Sequence, residues 1–273
     1  MTISNNDFHY IQNILHKQVG IVLGMDKLYL VENRLTALAQ QRGLASLQEL
    51  LLQLRTRPSP DILQDVVNAM AINETHFFRD EPFFETLKTT ILPDILVQRA
   101  KQRTLSIWSA ACSSGQEPYS IAILLREYFP QLRDWNVRLI ASDISSTMLA
   151  RSRKGCYTQF EVKRGLPEFL RYKYFQRCGK EWQIKAEICK MVEFKEINLT
   201  ETWPSLPALD LLLLRNVLIY FDDTHKKIIL NKVQRLLKPN GYLFAGTSET
   251  ALNRLNKQLK IVQSGTIVGY QVQ

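Results

Sequence analysis

From residue 104 onward, apolar segments of strand length alternate with amphipathic segments of helix length, and this alternation limits the possible folds most. Residues 104–111, 136–144 and 208–216 are short, mostly apolar runs. Helical spacing follows in 117–129 and in 222–241, the latter with Pro-Asn-Gly at its predicted end. Strands that alternate with helices predict an α/β domain with a mostly parallel sheet and helices on both faces.

Three parts of the chain depart from this alternation. Residues 1–72 show helical spacing alone, as between Phe8 and Val19, and are predicted to form a small helical bundle. Between residues 156 and 195 the alternation stops in a basic, aromatic stretch, which we interpret as a small excursion from the sheet. Near the end, two β-rich runs flank Ser264 and Gly265, so a terminal hairpin should make the sheet mixed at one edge.

The composition is that of an ordinary globular protein, with 45% apolar and 22% charged residues. No apolar run reaches the roughly 18 residues of a membrane helix, so no membrane insertion is expected. The start of the chain lacks the pattern of an export signal, and the four cysteines are widely spaced without a CxxC pair. We therefore expect a reduced, cytoplasmic setting, no disulfide framework and no metal site.

The formal charge of +9 is concentrated in one region and suggests an acidic partner. Residues 151–197 hold twelve Lys/Arg and six Asp/Glu, a net of +6, whereas residues 1–72 hold six of each. The basic region is either a solvated face or a docking surface for an acidic protein or a nucleic acid.

Two loops after predicted strands are candidate ligand sites, because ligands of open α/β sheets lie at the carboxyl ends of the strands. Residues 109–120 are rich in small side chains but contain one glycine, so neither a dinucleotide fingerprint nor a nucleoside-triphosphate loop fits. Asp143 follows the next strand, where it could accept hydrogen bonds from two ribose hydroxyls or, like Ser145, cap the following helix. Together the loops favour a nucleoside ligand without pyrophosphate, of which S-adenosylmethionine is the common example.

The third strand ends in the segment RNVLIYF, which begins at Arg215. Asn216 could present its amide to a ligand or could simply form a turn. Tyr220 could line the site or belong to the core. The segment lacks the Asn-Pro-Pro-aromatic loop of nucleic-acid amino-methyltransferases, so an exocyclic base amine is a poorer candidate for the acceptor.

Five segments, in order along the chain, resemble the CheR family of chemoreceptor glutamate O-methyltransferases. They are NETHFFRD, SAACSSGQEPYSIA, ASDIS, RNVLIYF and LKPNGYLFAGTSE. The resemblance implies a class I S-adenosylmethionine-dependent methyltransferase domain with a Rossmann-like mixed sheet at 104–273. It further implies an N-terminal all-helical domain at 1–72, a linker at 73–103 that closes the cofactor site, and an inserted β-subdomain at 156–195.

The resemblance also implies the residues of the site. Arg79 would pair with the methionine carboxylate of S-adenosylmethionine, because its planar guanidinium can make two parallel hydrogen bonds. Asp143 would bind the ribose hydroxyls, and Asn198 with Leu199 would contact the adenine. Tyr220 would lie near the methyl group, so Arg79 and Tyr220 are the catalytic candidates. The other implied cofactor-binding residues are Asn73, Thr75, Glu117, Asn216 and Val217.

The reaction that the resemblance implies is methyl transfer to the γ-carboxylate of glutamate in the acidic methylation helices of a chemoreceptor cytoplasmic domain, with S-adenosylhomocysteine as the other product. Glutamate titrates near about 4.3, so the acceptor is already an anion at neutral pH and needs no general base. Catalysis would then come from alignment of the reacting atoms at about 3–3.5 Å. We expect a monomer without a nucleic-acid partner.

Two alternatives stay open. The first is an S-adenosylmethionine-dependent methyltransferase that acts on RNA or on another protein, and the second is a non-catalytic module that only senses S-adenosylmethionine. For receptor docking, family members often use basic residues of an N-terminal helix, and Lys27, Arg34 and Arg42 are available here. Within the basic region, Arg171 and Lys173 belong to a cluster of positive charge.

Overall fold

The computed structural model of the protein describes residues 3–249, 252–264 and 267–272. The chain forms an N-terminal helical bundle, a helical connection and a seven-stranded sheet, with a small three-stranded sheet inserted. None of the helices in the described ranges has the length and apolar character needed to cross a membrane.

The N-terminal bundle consists of four helices that bury a core of their own. They are α1 Asn5–Val19, α2 Leu28–Gln41, α3 Leu47–Thr56 and α4 Pro60–Met70. Ser4, Ser46 and Ser59 start α1, α3 and α4, because each hydroxyl accepts a hydrogen bond from the backbone N–H three residues later. Phe8 and Leu35 are fully buried members of the core, as the helical spacing of apolar residues predicts.

A helical connection leads from the bundle to the sheet. It consists of α5 Glu81–Thr86, a π-helical turn at Leu87–Ile91 and α6 Leu92–Gln98. Phe83 of α5 packs edge-on against Phe244, with ring centroids 5.3 Å apart. The connection therefore covers one face of the sheet and shares its core.

Ten strands are described. They are β1 Thr104–Ala110, β2 Asn136–Asp143, β3 Cys156–Thr158, β4 Phe175–Cys178, β5 Glu181–Ile184, β6 Val192–Glu196, β7 Leu209–Leu214, β8 Leu237–Ala245, β9 Leu259–Ser264 and β10 Ile267–Val272. The large sheet has the order β6-β2-β1-β7-β8-β10-β9, and β10 is antiparallel to both of its neighbours while β1, β2, β6, β7 and β8 run parallel. The predicted α/β fold with a Rossmann-like mixed sheet is confirmed. Gly265 of the predicted hairpin turn lies outside the described residues.

Further helices cover the sheet or belong to the insert. They are α7 Gln116–Tyr128, α8 Ser146–Lys154, α9 Gln159–Lys163, α10 Glu168–Tyr174, α11 Ala186–Cys189 and α12 Asp223–Leu236. The prediction of one helix over 222–241 is wrong at its end, because α12 stops at Leu236 and the next residue already belongs to β8. The cause is Pro239, which lacks an N–H to donate and disfavours helical backbone at the residue before it.

The strands β3, β5 and β4 form a separate antiparallel sheet within the stretch where the alternation stops, which confirms the inserted β-subdomain. Arg171, predicted to be part of a basic surface, is instead 6% exposed. Its guanidinium lies over the rings of Tyr172 and Trp182 at 4.9 and 5.0 Å. Lys173 pairs with Glu127 at 2.7 Å. Part of the positive charge of this region is therefore used internally.

The bundle meets the sheet domain through backbone pairing just after α1. Ile21 forms an isolated antiparallel bridge with Phe221. The N–H of Val22 donates to the carbonyl oxygen of Tyr220 at 2.8 Å. The segment after α1 thus lies directly against the segment after β7. The exact domain boundaries given above stay predictions.

Phe77 offers a test of this packing. It is fully buried, and its ring lies edge-on to Tyr157 and Phe175, with centroids 5.0 and 5.4 Å away. Phe77→Ala should lower the free energy of unfolding by about 3–5 kcal/mol in urea denaturation, because it leaves a large cavity. The control is Phe160→Ala, at a ring in a residue that is 75% exposed, and it should change that free energy by less than about 0.5 kcal/mol. Equally small losses in both variants would contradict the placement of Phe77.

Candidate active site

A cleft opens at the carboxyl ends of β1, β2 and β7, where an open α/β sheet presents its loops. The loops after these strands, the segment before α5 and the segment after α1 line it. Eight of the ten predicted site residues line the cleft, namely Asn73, Thr75, Arg79, Glu117, Asp143, Asn216, Val217 and Tyr220. The fold therefore brings together residues from positions 73 to 220.

The loop between β1 and α7 turns tightly and connects three sides of the cleft. Ala111, Ser113 and Gly115 have φ angles of 54°, 50° and 92°, so three residues of this short loop have left-handed backbone. The N–H of Ser113 donates to the Asp143 carboxylate at 2.8 Å. Its hydroxyl donates to the carbonyl oxygen of Asn73 at 2.9 Å. The small side chains that the sequence shows here permit these close approaches.

Asp143 ends β2 and is 6% exposed. One carboxylate oxygen accepts from Ser113 N–H at 2.8 Å and the other from Ser145 N–H at 2.9 Å. Burial raises the pKa of this carboxyl above its ordinary value, although these backbone hydrogen bonds act in the opposite direction. The side-chain cap of α8 is Ser145, whose hydroxyl accepts from Met148 N–H at 3.3 Å. Asp143 therefore lines the cleft without serving as the helix cap.

Arg215 forms the centre of a buried ionic network and is not among the predicted site residues. Its side chain is 2% exposed, and its guanidinium donates to Glu117 at 2.9 Å and also to Asp80. A further hydrogen bond of 3.1 Å reaches the carbonyl oxygen of Arg79. The guanidinium also lies 4.2 Å over the Phe83 ring. An arginine at the end of a buried strand is a sequence signal for such a network, because a buried charge requires partners.

The NETHFFRD segment, residues 73–80, forms one wall of the cleft. Arg79 lines the cleft and donates to the carbonyl oxygen of Glu74 at 3.1 Å. Glu74, for which the sequence implied no role, pairs with Arg164 of the insert at 2.8 Å. The hydrogen bond from Arg164 lowers the pKa of the Glu74 carboxyl. His76 does not belong to the lining of this cleft.

Glu249, also absent from the predicted site residues, holds the loop after β7. Its carboxylate accepts backbone N–H groups of Asn216 at 2.7 Å, of Gly246 at 2.6 Å and of Ile219 at 3.1 Å. Asn216 has a φ of 58°, a conformation that asparagine tolerates better than most residues. The loop presents Tyr220, and burial raises the pKa of its phenol above the ordinary value of about 10. Tyr220 is therefore a neutral phenol at neutral pH.

An apolar extension of the cleft contains the two remaining predicted residues, Asn198 and Leu199. Leu199 is 7% exposed and adds apolar surface. The amide nitrogen of Asn198 donates to the carbonyl oxygen of Gln18 at 2.8 Å. Its amide oxygen accepts from the N–H of Thr200 at 3.1 Å and from the Thr200 hydroxyl at 2.8 Å. The Asn198 side chain thus uses both ends of its amide within the protein.

The ionic network gives a prediction about stability. Arg215→Met leaves Asp80 and Glu117 without their cation, and we expect a loss of about 3–5 kcal/mol in the free energy of unfolding, measured in urea. The control is Arg126→Met, which breaks the exposed pair with Glu187 and should cost less than about 1 kcal/mol. If both variants unfold at the same urea concentration, Arg215 does not hold the network together.

Comparisons with known proteins agree with this architecture over the whole chain. The all-alpha domain of CheR methyltransferase matches residues 6–71, and its SAM binding domain matches residues 73–268. The chain is 41% identical to the chemotaxis protein methyltransferase Cher2 of Pseudomonas putida, over 99% of both chains. It is 42% identical to chemotaxis protein methyltransferase 1 of Pseudomonas aeruginosa, again over 99% of both chains.

A third relative is chemotaxis protein methyltransferase 1 of Vibrio cholerae, with 37% identity over 100% of this chain and 98% of that one. The resemblance that five sequence segments indicated is therefore confirmed. The alternation of strands and helices, the helical bundle and the inserted sheet all fit the same assignment. The chain belongs to the CheR family and is an S-adenosylmethionine-dependent methyltransferase of chemotaxis.

Proposed function

We propose that the protein methylates glutamate side chains in the cytoplasmic helices of chemoreceptors and thereby forms methyl esters. The observation that carries this proposal is that the carboxylates among the described residues of the cleft, Glu74, Glu117 and Asp143, are all engaged by donors of the protein itself, so none of them is a free base for an acceptor. No histidine is among the described residues that line it, and burial raises the pKa of the Cys112 thiol well above its ordinary value. The Tyr220 phenol is also protonated. A carboxylate suits such a site, because it is already an anion at neutral pH.

The residues present fit the separate parts of S-adenosylmethionine. The Asp143 carboxylate would accept hydrogen bonds from the ribose hydroxyls. The apolar extension that contains Leu199 would hold the adenine, with Asn198 shaping it through its contacts to the bundle. Arg79 would pair with the methionine carboxylate. Asn73, Thr75, Glu117, Asn216 and Val217 would complete the walls around the cofactor.

In this proposal the protein contributes to catalysis by aligning the acceptor carboxylate with the methyl group of the cofactor. The bound cofactor supplies an electrophilic methyl group on a sulfonium. Glu249 fixes the loop that carries Tyr220, and Arg215 fixes the peptide of Arg79. Because buried partners hold both walls, the slot between them needs little reorganisation when the acceptor enters. Tyr220, as a neutral phenol, shapes the slot and can donate a hydrogen bond there.

In this proposal the protein acts as a monomer in the cytoplasm. Its partner is the acidic methylation region of a chemoreceptor. The basic residues offered by the bundle are largely engaged within it. Arg34 donates to three carbonyl groups at the end of α4, at 2.8 to 3.2 Å. Arg42 pairs with Asp65, and Lys27 pairs with Asp26. Because these three cations already have partners and the domain has no net charge, docking through it would depend little on long-range electrostatic attraction.

The reaction can be tested directly with methyl-labelled S-adenosylmethionine and cytoplasmic receptor fragments. We expect label on the fragments as base-labile methyl esters. A matched fragment in which the glutamates of the methylation helices are replaced by alanine should stay unlabelled. Label only on RNA or on another protein would favour the first alternative. Cofactor binding without transfer to any fragment would favour a non-catalytic module.

Arg79 provides a test of the cofactor site. Arg79→Ala should weaken binding of S-adenosylmethionine by at least about 1.5 kcal/mol, more than tenfold in Kd, because it removes a charged hydrogen-bond partner. Isothermal calorimetry measures the affinity. Arg126→Ala is the control, since Arg126 pairs with Glu187 and does not line the cleft. An unchanged affinity of the Arg79 variant would remove this residue from the site.

A further inference from the structure

Two histidines that are far apart in the sequence meet at one aspartate where the bundle contacts the sheet domain. His16 lies in the last turn of α1, while Asp222 caps the start of α12 and His225 lies in its first turn. His16 Nε2 is 2.9 Å from one carboxylate oxygen of Asp222, and His225 Nδ1 is 3.0 Å from the other. One ligand atom from each residue lies within 4.8 Å of the other two. None of the three residues lines the cleft or its apolar extension.

We propose that this His-Asp-His cluster, formed by His16, Asp222 and His225, binds a divalent transition-metal ion, with Zn²⁺ as the best match. Two imidazole nitrogens and one carboxylate oxygen are a common zinc donor set, and they leave a fourth position for water. The same set does not suit Mg²⁺ or Ca²⁺, which prefer oxygen ligands.

Contacts around the cluster hold the two imidazole rings in position without the help of an ion. The two histidine rings pack at right angles with centroids 5.0 Å apart. Gly20, with a φ of 71°, ends α1 beside His225, and a Cβ atom at this position would lie 3.0 Å from the ring. The nearby Lys226 pairs with Asp223 at 3.5 Å, so its charge is offset.

The cluster is open to solvent and its side chains have room to adjust. The side chains of His16, Asp222 and His225 are 49%, 36% and 20% exposed. Zinc bonds to nitrogen and oxygen are about 2.0–2.2 Å long, so small side-chain rotations are enough to bring the three ligand atoms around one ion. An ion can therefore enter from solvent without opening the core.

Because its ligands come from both domains, a bound ion would tie the bundle to the sheet domain. His16 and Asp222 are 206 positions apart in the chain. Ile21, which follows α1, and Tyr220, which precedes Asp222, both line the cleft. The ion would thus fix two walls of the cleft from outside, and it would stabilise the folded state because the unfolded chain does not assemble this ligand set.

The test is a zinc titration of the tag-free, full-length protein by isothermal calorimetry. We expect one site, and we expect His16→Gln and His225→Gln each to raise its Kd at least tenfold, because each removes one of three protein ligands. His9→Gln is the matched control, because His9 is an exposed histidine of the same helix and hydrogen-bonds to Gln12. It should leave the Kd unchanged, and Mg²⁺ should not bind at this site.

Two measurements on the unmodified protein keep the proposal testable if a variant fails to fold. Saturating Zn²⁺ should raise Tm by several degrees. Co²⁺ should give the visible absorption of a site with nitrogen and oxygen ligands, without a thiolate charge-transfer band. No zinc binding, a Kd that both histidine variants retain, an unchanged Tm or a thiolate band would each overturn the proposal.

Discussion

The cleft depends on one buried guanidinium. Arg215 connects the end of β7 with Glu117 at the start of α7, and with Asp80 and the Arg79 carbonyl in the segment that follows the bundle. Burying this charge costs free energy unless every N–H donor of the guanidinium has a hydrogen-bond partner. The end of β7, the start of α7 and the segment after the bundle therefore have to come together around it. The position of Arg79 at the wall of the cleft follows from that requirement.

Buried carboxylates hold the loops of the cleft by accepting hydrogen bonds from backbone N–H groups. Asp143 accepts the backbone N–H groups of Ser113 and Ser145, and Glu249 accepts two from the loop after β7 and that of Gly246 after β8. Charge-assisted hydrogen bonds of this kind are about twice as strong as those between neutral groups. They hold Ser113 and Asn216 in left-handed backbone conformations that side chains otherwise disfavour. Hydrogen bonds within the protein therefore fix the shape of these loops.

Local patterns in the sequence predict most of this architecture. Helical spacing locates the bundle, and strand-helix alternation locates the sheet and the loops at its carboxyl edge. Two of the errors come from partners elsewhere in the sequence. The buried position of Arg171 depends on Trp182, and the role of Glu249 depends on a loop 30 residues earlier or more. The misplaced end of α12 is a local error, because Pro239 excludes helix before its own position and lies within β8.

The contact between Val22 and Tyr220 joins backbone atoms alone. Peptide groups are the same in every residue except proline, so this one hydrogen bond does not depend on which side chains stand at the two positions. The side-chain contacts across the same boundary, from His16 to Asp222 and from Asn198 to the Gln18 carbonyl, do depend on residue type. Substitutions at this boundary would therefore leave the backbone pairing intact while removing individual side-chain contacts, so the two kinds of contact would respond differently to change in the sequence.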